Sequence, residues 1–164
     1  MIIKFILFIF FVSSNVYAQD TTLRMANWLP PTHPWVTNIM IPWIEKVKIA
    51  TEGRVVIDLL KAPLGPPPAH FDFAAKGIAD ITYGVHNYTS GRFSSTQITE
   101  LPFLSNSAEI LSIAWQRVYE KELLQLNEHR GTHLLGVYTH GPGQLWLSKN
   151  YNSIEEVKDL KIRI

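Results

Sequence analysis

Three short apolar segments alternate with two helical patterns between Thr22 and Val85, and this alternation restricts the fold more than any other feature of the chain. The first segment, Thr22 to Asn27 (TLRMAN), reads as a strand. The second, Arg54 to Leu60 (RVVIDLL), mixes β-branched residues with leucine, as a strand buried on both faces does. The third is Ala79 to Val85 (ADITYGV). Strand, helix, strand, helix, strand in that order predicts an α/β fold: a parallel sheet with helical crossovers.

The connections fit this frame. Trp28 to Trp35 (WLPPTHPW) is stiff, because its three prolines fix φ and lack backbone donors. Helical spacing then runs through Val36, Ile39, Met40, Trp43, Ile44, Val47 and Ala50. Pro42 interrupts it, which predicts a kink or a start near Met40, and Gly53 suits a left-handed cap. Pro66 to Pro68 lead into a short helix, Ala69 to Lys76, stopped at Gly77. His86 to Thr96 is a polar loop, and Ser107 to Leu126 is the longest helix, with Ser107 as its N-cap. A fourth strand is expected at Thr132 to Thr139, broken by His140 to Gly143 (HGPG) and resumed at Gln144 to Lys149. Ser153 caps a last short helix before a closing strand, LKIRI, and Glu155 and Glu156 suit that helix's first turn.

The N-terminus reads as a targeting segment. Lys4 precedes an unbroken apolar run, Phe5 to Val12, and Val16-Tyr17-Ala18 offers small residues to a signal peptidase. The run is too short to span a bilayer as a helix, so a cleaved signal peptide over residues 1–18 is expected, with an N-terminal anchor as the alternative. Fifteen Lys and Arg face fourteen Asp and Glu, with no basic run, which argues against nucleic acid as a partner. The chain has no cysteine, which excludes disulfides, cysteine metal sites and a cysteine nucleophile.

In open parallel sheets ligands bind at the carboxyl ends of the strands. Trp28 follows the first strand, His86, Asn87 and Tyr88 follow the third, and His140 to Gly143 follow the fourth. Aromatics, amides and histidines on one edge suit a small polar organic ligand; packing of the loops by Trp28, Trp35 and Tyr88 is the alternative. His33, His86 and His140 could serve a secreted hydrolase or a metal-dependent enzyme. No HExxH helix or G-x-S-x-G elbow accompanies them, so no metal or other cofactor is expected. Asp72 and Asp80 read as local caps or turn residues. A guanidinium in an apolar strand needs an anion, so Arg163 points to a ligand carboxylate, or else to a strand-edge surface position.

Taken in order, LRMANWLPPTHP, GRVVIDLL, PLG with a short helix, GIADITYGV, GRFSSTQITELPFL, a long helix and THGPGQLWLSKNYNSIEEVKDLKIRI resemble the solute-binding proteins of TRAP transporters, the DctP-like family. The resemblance covers essentially all of the chain after the signal segment. It implies a type II periplasmic-binding fold, in which two α/β lobes close over an organic acid and deliver it to a membrane permease. It implies an N-terminal lobe over 19–143 and a crossover into a second lobe over 144–164. A binding protein without enzymatic activity, periplasmic and monomeric, is expected.

Arg163 matches the family's carboxylate-binding arginine. Trp28 maps to its first-strand loop, and Val85 to Tyr88 to its third-strand loop. Sialic-acid binders carry a second arginine where Gly143 stands here, so a monocarboxylate with an apolar or aromatic body is expected instead. Family members are roughly twice as long, so the chain reads as an N-terminal part that binds weakly or not at all by itself.

Overall fold

The computed structural model describes residues 20–144, 146–153 and 155–161. The expected signal segment and Arg163 lie outside them. The chain divides into two compact units, Met1–Phe93 with Arg130–Thr132, and Ser94–His129 with His133–Ile164.

The first unit is built on a parallel sheet of three strands in the order β2-β1-β3: β1 Thr21–Ala26, β2 Val55–Leu59 and β3 Ile81–Thr82. Thr21 stands opposite Val55 and Met25 opposite Leu59 on one side of β1; Ala26 stands opposite Thr82 on the other. The central strand carries the burial, with Met25 and Ala26 sealed at its carboxyl end. β2 corrects the expectation of a strand buried on both faces. It is an edge strand of this sheet, with Ile57 buried but Val56 and Asp58 exposed.

β3 is shorter than the seven residues expected from ADITYGV, for a local reason. Asp80 opens the pairing by donating its N–H to the Arg24 carbonyl at 3.0 Å and accepting the Arg24 N–H on its carboxylate at 2.7 Å. Asp80 is thus a tertiary clamp, not a local cap. At the other end β1 offers no further ladder. Asn27 folds back so that its Oδ1 accepts the Leu29 N–H at 2.6 Å, and Pro30 and Pro31 follow without donors.

Pro42 does not delay the helix, which opens at Pro34; it is accommodated by a local change of pitch. A π-type turn, Val36–Met40, runs directly into helix α1, Ile41–Ala50. The proline is the second residue of α1, and the π-type pitch just before it is where the ladder adjusts to the missing N–H. Val36 and Met40 join Met25 and Ile57 in the core, with Trp35, Trp43, Ile44 and Val47 packed on it. Gly53, at φ +81°, donates to the Lys48 carbonyl at 2.8 Å and closes the helix end as expected. A 3-10 turn, Pro67–Ala69, then leads into helix α2, His70–Ala75.

In the second unit the long helical pattern appears in three pitches. Helix α3, Ala108–Val118, continues as a π-type turn, Tyr119–Leu123, and a 3-10 turn, Leu124–Leu126, ending at left-handed Asn127. Ser107 is the N-cap, its hydroxyl accepting the Ile110 N–H at 3.3 Å. Ser107→Ala should therefore cost about 1 kcal/mol. A thermal melt checks this by a midpoint lowered by several degrees, and an unchanged midpoint would remove the cap's assigned role.

The fourth strand is not formed. Its backbone donors go to α3 side chains in place of a ladder: Val137 N–H to Gln116 Oε1 at 2.7 Å, and Thr139 N–H to Ser112 Oγ at 2.9 Å. Val137 thereby packs on Trp115 and Tyr119, the core of this unit. Among the described residues, Gln144 to Lys149 form no strand, and the helix after Ser153 is one 3-10 turn, Glu155–Val157.

Candidate functional site

Parallel pairing of β1 and β3 makes the chain leave both strands at one edge. Trp28 comes two residues after β1, and Tyr83 directly after β3. Their rings stack with centroids 4.6 Å apart and planes at 18°. Trp35 stacks on Tyr83 at 5.9 Å, and Tyr88 lies tilted 6.3 Å from Trp28. Trp28 is partly exposed and Tyr88 is 50% exposed, so this wall of rings retains accessible surface. Trp35 belongs equally to the core beneath, and the packing alternative describes it well.

His70, the first residue of α2, supports the wall. Its ring meets Trp28 edge-on at 4.8 Å and Phe73 at 5.3 Å. It is fully buried, and neither ring nitrogen has a hydrogen bond of good geometry. Burial pushes its pKa below the usual histidine range, although the carbonyls of Gly65 and Ala26 act in the opposite direction. His70 is therefore a neutral imidazole at pH 7. Gly65 permits this packing, because a Cβ there would stand 2.9 Å from Phe73 Cζ.

A second set of rings fixes the loop after β3. His86 stacks on Phe93 at 4.4 Å, and Phe71 meets Phe93 edge-on at 5.3 Å. Arg92 lies 4.3 Å over the Phe71 ring and 3.7 Å from the Asp72 carboxylate. The ion pair is too exposed to contribute much. Together with the ring contacts, however, it ties the loop to α2 and places the 3-10 turn His86–Tyr88.

Of the expected ligand residues, Trp28, His86, Asn87 and Tyr88 all sit in the first unit, and Trp28 and Tyr88 come together. Asn87 is exposed on the turn between His86 and Tyr88. Gly143 lies in the second unit, with open space where a Cβ would be. Arg163 is outside the described residues. His33 and His140 are engaged locally, through the Trp35 N–H at 3.1 Å and the Gly141 carbonyl at 2.6 Å. Among the described residues, no group of three or more His, Cys, Asp or Glu side chains could hold a metal ion.

Sequence reasoning missed Tyr83 and His70. Tyr83 carried a weak signal, as an aromatic near the carboxyl end of the expected third strand, three residues before His86. His70 carried a weaker one, its helical i, i+3 spacing from Phe73.

The wall offers flat apolar rings beside a polar turn, a surface on which a planar ring can stack. Residues 25–164 match the family described as bacterial extracellular solute-binding protein, family 7, DctP. The chain belongs to this family. It is 31% identical over 146 residues to an outer membrane transporter protein, TsaT, of Comamonas testosteroni, covering 88% of this chain and 43% of that one. A TRAP periplasmic solute-binding protein of Bordetella bronchiseptica with bound (R)- and (S)-mandelate superposes with a TM-score of 0.72 at 43% identity, over 74% of this chain and 39% of that one. One from Rhodoferax ferrireducens, with copurified benzoate, has a TM-score of 0.68 at 31% identity, over 74% of this chain and 38% of that one. A marine metagenome protein with 3-hydroxybenzoate also reaches 0.68, at 28% identity, over 76% of this chain and 39% of that one. The family 7 chain thus has the periplasmic-binding-protein fold, as a partial domain of helices and parallel sheet, and spans about two fifths of these relatives' length.

Proposed function

We propose that this family 7 chain captures a small monocarboxylate with an aromatic body and presents it to a TRAP membrane permease. The Trp28–Tyr83 stack, flanked by the half-exposed Tyr88, carries this reading. Mandelate, benzoate and 3-hydroxybenzoate in three similar solute-binding proteins support it, since each pairs one carboxylate with one ring. Arg163 takes the carboxylate, Trp28 and Tyr88 face the ring, and His86, Asn87 and Gly143 line the approach. The protein acts as a periplasmic monomer, without catalysis. The lobe boundary falls near Gly143, with the ligand held between lobes.

A thermal-shift screen of the full-length mature protein against aromatic and aliphatic carboxylates tests this. Ligand at about a hundred times its Kd adds about 2.7 kcal/mol of stability, so an aromatic acid should raise the melting midpoint clearly. A response confined to aliphatic or uncharged compounds would contradict the proposal.

A further inference from the structure

His70 is an uncommon choice for the place it fills. A buried polar group without a good hydrogen bond costs stability, and phenylalanine would pack among Trp28 and Phe73 without that cost. The ring is sealed against Trp28, one of the partly open rings of the wall. We propose that His70 is a positioning residue for ligand binding: its neutral ring holds the plane of Trp28, and protonation of that ring releases Trp28 and lowers ligand affinity. The inference rests on the aromatic-acid reading of the site and adds acid-triggered release to it.

The physical argument is the cost of an unpaired buried charge. Burial outweighs the Gly65 and Ala26 carbonyls that favour an imidazolium here, so the charged ring is driven toward water, and reaching it requires the contact with Trp28 to open. Its surroundings supply little compensation. From β1 it faces the Ala26 carbonyl, from the loop after β1 Trp28, from the loop before α2 the Gly65 carbonyl, and from its own helix Phe73. The titratable Tyr83 and Tyr88 contact Trp28. Asp72, next but one on α2, is engaged by Lys76 at 3.2 Å and by Arg92. Asp80, ahead of β3, is engaged by the Arg24 backbone.

The test compares benzoate affinity of full-length wild type and His70→Phe at about pH 7.5 and about pH 5, which bracket the ordinary histidine value near 6.5. Protonation of benzoate weakens both proteins alike, so the ratio of their affinities is the readout. The ratio at the higher pH, whatever affinity the variant keeps, is the reference. The ratio should then move against wild type at the lower pH, beyond the scatter of repeated titrations. A constant ratio would overturn the proposal.

A second measurement needs neither ligand nor the phenylalanine variant. Indole emission of the ligand-free wild type should fall as the imidazole is protonated, and Trp28→Phe should lose that transition. An emission titration identical in both proteins would also overturn the proposal. Wild type that binds no aromatic acid at either pH contradicts the aromatic-acid reading instead, and the emission titration still decides whether His70 controls Trp28.

Discussion

Trp28→Ala should weaken binding of benzoate or mandelate by about 2–3 kcal/mol, on the order of a hundredfold in Kd. The indole stacks on Tyr83 and keeps part of its surface open, so truncation removes the face of the wall and leaves Tyr83 stacked on Trp35 alone. Aromatic pairs contribute roughly 0.5–1.5 kcal/mol beyond area burial, and the lost apolar contact supplies the remainder. Trp28→Phe keeps a ring in place and should recover most of the affinity. Titration calorimetry on the three proteins checks this, with circular dichroism confirming that the alanine variant is folded. A folded Trp28→Ala protein with unchanged affinity would remove the wall from the site.

A still larger loss is expected at Arg163. Arg163→Ala in the full-length protein should cost about 2–5 kcal/mol of binding free energy, the usual range for truncating one partner of a desolvated charged pair. Arg163→Lys keeps the charge but not the planar fork that grips both carboxylate oxygens, and should fall between. Benzamide provides the internal control. It lacks the carboxylate, so wild type should bind it far more weakly than benzoate, and Arg163→Ala should change its affinity little. Equal losses for benzoate and benzamide would make the arginine structural.

The sequence made the frame legible where a signal was local. Alternating apolar segments foretold the parallel pairing of β1 with β2 and β3, Pro42 foretold an irregular helix, and Ser107 foretold a cap. Features that depend on residues far apart in the chain stayed hidden. The segment Thr132 to Thr139 has strand composition, but Gln116 and Ser112 intercept its donors from α3, and no window of sequence displays that competition. β3 is short because Asp80 and Asn27 decide where pairing with β1 starts and stops. β2 read as doubly buried because its composition does not say that it lies at an edge.

The site divided along the same line. Trp28 and Tyr88 were visible as aromatics on loops that follow parallel strands. Tyr83 and His70 were not, since one looked like strand and the other like helix until the sheet edge brought them against Trp28. His86 stands out in the sequence for its imidazole, yet its ring stacks on Phe93 and helps to fix the turn that carries Tyr88.

Titration calorimetry of the full-length protein with benzoate and with cyclohexanecarboxylate tests the central claim most directly. Both ligands carry one carboxylate on a six-membered ring, and only one ring is flat and aromatic. Saturable one-to-one binding of both is expected, with benzoate tighter by about tenfold, the order of one aromatic stacking contribution. Equal affinity for the two acids, or no binding of either, would contradict an aromatic wall that selects the ligand.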